Sequence, residues 1–243
     1  MSNKILLVFE GERTESLIAN SLITSLIEQT SNLIEAVYKT HIYNLYTEVI
    51  NDPFLDIFHV IKEKNPHLQN FERDEFSQIY LFFDYDGHVG GALDQKIEVL
   101  LEYFNEESEN GKLFISYPMV EAIRCIQDLE NLDSFLKATF RKSDFKDFKS
   151  FVHSYAIQQL QNYSNYSQEI KEKLISFHCK KANYLVNEDS NYPTEPIDQT
   201  EIFRSQQEKF IYVTNEVTIL GSFPLMLLDY FGYETLAKLV SND

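Results

Sequence analysis

Residues 78–88 read QIYLFFDYDGH, an apolar and aromatic run that ends in two acids separated by one residue. A run of this length and composition predicts a buried strand. At the end of such a strand the chain reaches the sheet edge where α/β proteins bind ligands. If the strand continues through Asp84 and Asp86, their carboxylates point to the same side and repel each other unless a proton or a cation lies between them. The alternative is a strand followed by an Asx-Gly turn, and the motif alone favours neither.

Strand-like and helix-like segments alternate through the first half of the chain. Lys4–Phe9 (KILLVF) predicts a first buried strand, and apolar residues recur at helical spacing over residues 16–29. Further strands are predicted over residues 33–38 and 112–116, and helices over 42–50, 54–63 and 92–105 and from Met119 onward, after Pro118. This alternation predicts a largely parallel sheet with helices on both faces.

After about residue 130 the strand signals end and the chain reads as helical. Helices are predicted over residues 133–140, 145–163, 168–186, 199–214 and 220–239. We therefore expect an α/β domain at residues 1–130 and an all-helical subdomain at residues 131–243. The segment LGSFPLMLLDYFGY at residues 220–233 is too apolar for a surface helix, so it is expected to be either core or a partner-binding face.

The charge of the chain limits how it can meet a nucleic acid. Its 243 residues include 38 Asp or Glu and 21 Lys or Arg, for a formal net charge of −17. Residues 1–130 carry −14 of this, with nine basic and 23 acidic side chains. A broad surface that follows phosphates needs clustered Lys and Arg, which such a protein lacks. For a nucleic-acid substrate, metal ions, a local basic patch or a partner must supply the positive charge.

Several features predict a cytoplasmic protein. No apolar run approaches the roughly 20 residues needed to cross a bilayer. The start, MSNKI, leads directly into a strand-like run without the pattern of a signal peptide. Cys125 and Cys179 are too few for a disulfide framework and lie outside any metal-binding spacing. These features favour a reducing compartment.

Acidic residues follow three of the predicted strands. Glu10 follows the first, Asp84 and Asp86 end a middle one, and Glu121 lies one turn into the helix predicted after the strand at 112–116. Because the C-terminal ends of parallel strands share one edge of a sheet, we expect these acids to converge. An oxygen-rich set with little His or Cys suits Mg²⁺ or Mn²⁺, which typically support phosphate chemistry.

The order and placement of three motifs resemble the TOPRIM domain of topoisomerases, primases and OLD-type nucleases. The motifs are FEGERTE at residues 9–15, FDYD at residues 83–86 and SYPMVE at residues 116–121. The first is similar to the EGxxTE of OLD-family nucleases and of RloB-like proteins in bacterial defence loci. The third is similar to the SxPxxE of the RloB-like group. The resemblance covers roughly residues 4–125.

This resemblance implies specific roles for the acids. Glu10 corresponds to the TOPRIM glutamate, a metal ligand or general base. Asp84 and Asp86 correspond to the metal-binding aspartates, and Glu15 to the added acid that builds a second metal site. Glu121 belongs to the same implied cluster. The implied cofactor is Mg²⁺ or Mn²⁺.

The resemblance also implies a catalytic lysine, which no motif identifies; Lys181, or its neighbour Lys180, is the candidate. Full OLD proteins include an ABC-type ATPase, whereas this sequence has no GxxxxGK[ST] motif. The implied protein is therefore an effector nuclease controlled by a separate ATPase, as in two-gene phage-defence systems such as PARIS. Its expected partners are a DNA or RNA substrate, an ABC-type ATPase and a second copy of the chain, without a membrane.

Two other classes of function stay open on the sequence. One is a TOPRIM-like docking or regulatory subunit of an ATPase complex with little catalysis of its own. The other is a phosphohydrolase or nucleotidyl enzyme that acts on a small molecule.

Other residues near the motifs have simpler interpretations. His88 is expected to be exposed, although it can reach a substrate phosphate, and Ser116 is expected to cap the helix after Pro118. The stretch 137–149 carries five basic side chains against two Asp and is the least acidic candidate surface for nucleic acid. Its phenylalanines are expected to be core residues and not a platform for stacking bases.

Overall fold

The computed structural model describes residues 4–27, 31–52, 54–85 and 93–240. Its central sheet has five strands: β1 (Lys4–Phe9), β2 (Asn32–Val37), β3 (Phe76–Asp84), β4 (Asn105–Glu106) and β5 (Gly111–Ser116). Their order in space is β2-β1-β3-β5-β4, with β4 antiparallel to β5 and all other neighbours parallel. The predicted α/β architecture with a mostly parallel sheet is confirmed, including the strand that ends at Asp84.

The middle strand β3 is buried because it lies between β1 and β5 and is covered on both faces. Residues 79–83 are each at most 2% exposed. A strand covered on both faces needs a continuous apolar run and not an alternating pattern, which is what this stretch contains. Because this strand is buried, the position of Asp84 at the C-terminal edge of the sheet is fixed.

Five α-helices lie in the described residues of the first half of the chain. They are α1 (Thr14–Ala19), α2 (Ser25–Ile27), α3 (Ile42–Asn51), α4 (Ile57–Lys64) and α5 (Asp94–Tyr103). A π-helical turn at Asn20–Thr24 joins α1 to α2. The helix expected from Met119 is wrong: the backbone stays extended through Tyr117, which bonds Leu220 in both directions, and only a 3₁₀ turn follows at Val120–Arg124.

Between residues 131 and 240 the structure has seven α-helices: α6 (Leu132–Leu136), α7 (Phe148–Tyr155), α8 (Gln168–Asn187), α9 (Gln199–Gln206), α10 (Tyr212–Thr214), α11 (Ser222–Phe231) and α12 (Tyr233–Val240). None of the helices in the described residues is long and apolar enough to cross a bilayer. The expectation that this part is all-helical is wrong. Two short strands, β6 (Thr139–Arg141) and β7 (Glu216–Thr218), pair antiparallel. Their pairing partners are far apart along the chain, so local periodicity does not reveal them.

The apolar segment at residues 220–233 is core and not an exposed face. It forms α11, whose Phe223 is 1% exposed and stacks on Phe82 of β3 at 4.5 Å between ring centroids. The Phe9 ring of β1 lies 6.0 Å from the same side chain. One hydrophobic cluster therefore includes residues from both halves of the chain. The domain boundary expected near residue 130 stays a prediction.

Two phenylalanines of the basic stretch are core residues, as expected, and Phe140 is partly buried against the core. Phe145 and Phe148 are fully buried, and Phe135 just before the stretch is 2% exposed. The basic side chains of Lys137, Arg141 and Lys146 remain exposed between them. The rings therefore anchor this stretch while its charges face outward.

His178 on α8 is a fully buried histidine that ties the 3₁₀ turn at Val120–Arg124 to the segment before α11. Its Nε2 donates to the carbonyl of Ile123 at 3.1 Å, and its Nδ1 accepts from the Gly221 N–H at 3.0 Å. Both bonds suit the neutral ring with its hydrogen on Nε2. Burial lowers the pKa of His178 to about 3.

We expect Phe223→Ala to lower the free energy of unfolding by about 3–5 kcal/mol, because it removes a buried ring that covers the sheet. Phe54→Ala is the matched control, since Phe54 is 93% exposed and its loss should change stability by no more than about 0.5 kcal/mol. Chemical denaturation of both variants measures the difference. Equal effects would contradict the packing of α11 on the sheet.

We expect acid to destabilise the fold through His178. Its pKa is 6.5 in the unfolded reference and about 3 in the fold, so its contribution is complete above pH 6.5 and lost as the pH falls toward 3. The slope reaches at most about 1.4 kcal/mol per pH unit. Denaturation between about pH 7 and about pH 5 should show a smaller fall for His178→Gln than for His59→Gln, a histidine whose side chain is exposed. Equal falls would show that His178 does not contribute.

Candidate active site

Two of the predicted acids meet at the C-terminal edge of the sheet. Glu10 directly follows β1, and Asp84 is the last residue of the neighbouring β3. The Asp84 N–H donates to Oε2 of Glu10 at 3.0 Å, and the Glu10 N–H donates to the Phe82 carbonyl at 3.1 Å. One backbone hydrogen bond therefore holds Glu10 to β3, and the Glu10 carboxylate in turn accepts from the backbone of Asp84.

Glu15 reaches the same edge from the first turn of α1. It is 8% exposed, and its Oε1 accepts a hydrogen bond from the Gly11 N–H at 3.0 Å. A Cβ on residue 11 would lie 2.9 Å from this oxygen, which is closer than such contacts allow. Glycine at position 11 thus lets the carboxylate fold back against the backbone. This explains why Glu-Gly and the later Glu occur together in the motif.

Glu121 arrives from the 3₁₀ turn after β5 and is 5% exposed. Its Oε1 lies 3.3 Å from Nζ of Lys149, the second residue of α7. Within the described residues its Oε2 is buried without a hydrogen-bond partner. A buried carboxylate oxygen without a partner is costly, so this atom indicates a site that needs a cation or a donor.

Lys149 links the acids electrostatically. Burial opposes its charge, but the carboxylates of Glu121, Asp84 and Glu15 outweigh that effect and raise the pKa of Lys149. Lys149 pairs with Glu121 and lines the same cleft as Asp84 and Glu15. The sequence did not identify this residue as part of the site. Its only signal was membership of the basic stretch at 137–149.

A cleft of about 650 Å³ lies at this edge of the sheet; Val120 lines it, whereas its neighbour Glu121 is not among the lining residues. Its walls include Glu10, Glu15, Asp84 and Lys149, with the exposed Arg13 and Lys39 among its other residues. Lys39 has a left-handed backbone (φ +73°), which is uncommon for a residue other than glycine, and its N–H donates to the Glu10 carbonyl at 3.1 Å. The cleft therefore combines carboxylates inside with cations that suit phosphate.

The side chains of the cleft have the ligand atoms that Mg²⁺ or Mn²⁺ prefers, but their spacing matches a metal site less well. Its ligands are carboxylate oxygens, which hard divalent cations prefer. Among the described residues, however, no three Asp, Glu, His or Cys side chains are grouped closely enough to share one ion. Asp86, the second acid of the central motif, lies outside the described residues, as does His88. The buried Glu121 Oε2, which has no hydrogen-bond partner among the described residues, is an acceptor that a cation or a donor would satisfy.

Lys181 does not belong to this cleft. It is 1% exposed, and its Nζ donates to the carbonyls of Phe135 and Ala138 at 2.6 and 2.8 Å. It lines a different cavity, beside Lys209 and Thr218, and Lys180 lines a third. Lys181 thus holds the end of α6 against α8, and the structure places Lys149 at the acids instead.

Ser116 neither caps a helix nor faces the cleft. Its Oγ is buried and shares a 2.8 Å hydrogen bond with Oγ of Ser222, at the start of α11. The expected capping role is wrong because Ser116 is the last residue of β5, and the 3₁₀ turn begins only at Val120, after Met119. Ser116 instead joins β5 to α11.

Comparison of the chain with protein-family models, with curated proteins and with solved structures finds no match. The site is therefore interpreted from its own residues.

We expect Gly11→Ala to lower the affinity of the cleft for Mn²⁺ by about tenfold, because the added Cβ displaces the Glu15 carboxylate. Only the end of a flexible side chain must move, so the free energy of unfolding should change by less than about 1 kcal/mol. Titration calorimetry and thermal unfolding measure the two effects. Glu15→Gln should reproduce the loss without a clash; a loss in the glutamine variant alone would show that Gly11 has no part in it.

Proposed function

We propose that this protein is a metal-dependent nuclease of the TOPRIM type that cleaves phosphodiester bonds in DNA or RNA. The observation that carries the proposal is that Glu10, Asp84, Glu15 and Lys149 line one cleft at the ends of parallel strands, where Lys149 also pairs with Glu121. Carboxylates beside basic groups are the combination that phosphoryl chemistry needs, since the acids hold cations and the basic groups hold phosphate.

Each residue has a role in this proposal. Asp84, Glu15 and Glu121 would hold Mg²⁺ or Mn²⁺, together with Asp86. The metal, when bound, would activate water and neutralise charge on the phosphate. Glu10 orients the attacking water, with its carboxylate held in place by the Asp84 N–H. Lys149 turns from Glu121 to the phosphate and stabilises the negative charge that develops there.

We further propose that the nuclease serves as the effector of an anti-phage defence system under the control of a separate ATPase. Support comes from the EGxxTE-like and SxPxxE-like motifs and from the lack of a P-loop motif in this sequence. The net charge of −17 also supports a partner or divalent metal that helps the chain bind a polyanion.

A docking subunit of an ATPase complex is the second candidate. It is favoured by the lack of a ready three-ligand metal group among the described residues. Calorimetric titration with Mg²⁺ separates the two candidates, because a docking subunit does not need to bind a divalent cation at Asp84.

We expect Glu10→Ala to abolish divalent-dependent cleavage of DNA or RNA without lowering the cooperativity of thermal unfolding, because it removes the group that orients water. The assay uses purified chain with Mg²⁺ or Mn²⁺, with and without a co-expressed ATPase. Glu63→Ala is the charge-matched control, on an exposed part of α4. Retained cleavage by the Glu10→Ala variant would refute the role of Glu10 in catalysis. Turnover of nucleotides without cleavage of any polynucleotide would instead favour an enzyme that acts on a small molecule.

A further inference from the structure

Tyr85, the residue between the two acids of the central motif, is fully buried. Its ring lies 5.7 Å from that of Tyr117, 6.0 Å from that of Phe145 and 6.1 Å from that of Phe203. These rings come from three separate parts of the chain. The side chain after Asp84 is therefore enclosed by aromatic rings.

The Tyr85 hydroxyl takes part in a buried network of three polar groups. It donates to Oδ1 of Asp94 at 2.5 Å and accepts from Nζ of Lys142 at 2.7 Å. Lys142 also forms an ion pair with Asp94 at 3.7 Å, and both side chains are less than 20% exposed. Burial and the neighbouring Asp94 raise the pKa of Tyr85, so the phenol keeps the proton that it donates.

The backbone of Tyr85 is held as firmly as its side chain. Its N–H donates to the Ser116 carbonyl at 3.0 Å, which extends the pairing of β3 with β5. Its carbonyl accepts from the Tyr43 hydroxyl of α3 at 3.1 Å. Since Asp84 already donates its N–H to Glu10, the short segment that carries the Asp84 carboxylate is fixed on both sides.

We propose that Tyr85, Asp94 and Lys142 form a positioning network that holds the Asp84 carboxylate at the cleft for a divalent cation. The proposal rests on the proposed metal-dependent function. None of the three residues lines the cleft. Their effect passes through the backbone of residues 84 and 85.

A physical need for such a network follows from the charges at this edge. Carboxylates that lie close together repel each other, and a strand end with such acids would spread apart without restraint. Groups that orient metal ligands from outside typically change metal affinity or activity by about 10- to 100-fold when they are removed. Lys142 also opposes the local excess of negative charge, because its ammonium pairs with Asp94 at 3.7 Å.

The position of Lys142 gives the C-terminal part of the chain a share in the site. Lys142 begins the 3₁₀ turn Lys142–Asp147, which leads directly into α7 and Lys149. Its own N–H donates to the Asn215 carbonyl at 3.0 Å beside the β6–β7 pair. Two lysines seven residues apart thus reach the site from one segment, Lys149 at the acids and Lys142 behind them.

Binding of Mn²⁺ to the whole chain tests the network. Titration calorimetry and the electron paramagnetic resonance of the bound ion measure this binding. We expect Tyr85→Phe, which keeps the ring and removes the hydroxyl, to weaken Mn²⁺ binding about tenfold. Tyr103→Phe is the matched control, because it removes a phenol hydrogen bond to the Leu55 carbonyl at the other end of α5. Its Mn²⁺ affinity should equal that of the wild type.

Substitutions of Lys142 test the network independently, in case Tyr85→Phe does not fold. Lys142→Met should weaken Mn²⁺ binding in the same direction, and Lys142→Arg should restore part of the loss because it keeps a donor and a positive charge. Mn²⁺ affinity that is unchanged in both Tyr85→Phe and Lys142→Met would overturn the proposal, even if both variants unfold at lower temperature, since their role would then be stability alone.

Wild-type protein separates this proposal from the proposed function. The proposed metal site is refuted if wild type binds no Mn²⁺ or if Asp84→Asn binds Mn²⁺ as tightly as wild type. Either result also refutes the positioning network. If wild type binds Mn²⁺ through Asp84 while Tyr85→Phe and Lys142→Met bind it equally well, only the positioning network is refuted.

Discussion

Repulsion between like charges is the constraint on which the candidate site depends. Parallel strands β1, β3 and β5 bring Glu10, Asp84 and Glu121 to one edge, and α1 adds Glu15. Such a group is stable only where its charges are compensated. The chain compensates them with N–H donors, at Gly11 and Asp84, and with the ammonium of Lys149. Each device fixes the place of a carboxylate oxygen.

The C-terminal part of the chain contributes apolar packing and positive charge to the edge of the sheet. Helix α11 covers the strands that carry the acids, through the stack of Phe223 on Phe82. The segment from Lys142 to Lys149 then brings positive charge to an N-terminal half with a net charge of −14. Packing and electrostatics thus meet at the same place, so the stability of this region and the proposed chemistry depend on shared residues.

How much of this site a sequence can predict depends on the range of each interaction. Glu10 and Asp84 were predictable because each ends a buried apolar run, and parallel strands share an edge. Lys149 was not, because its position follows from the fold of a helix 65 residues beyond Asp84. Lys181 was proposed as the catalytic lysine although no motif identified it. Its ammonium instead donates to the carbonyls of Phe135 and Ala138. The β6–β7 pair was missed for the same reason as Lys149.

The sequence by itself determined the α/β class, the buried strand at residues 79–83 and the acids that follow the strands, because burial on both faces demands a continuous apolar run. It also determined that the segment at 220–233 could not be an ordinary surface helix. Only the tertiary structure decided that this segment is core, that Lys149 faces the acids and that Tyr85 is locked by Asp94 and Lys142. These are contacts between distant residues, and the spacing of residues along the chain contains no record of which side chains meet in space.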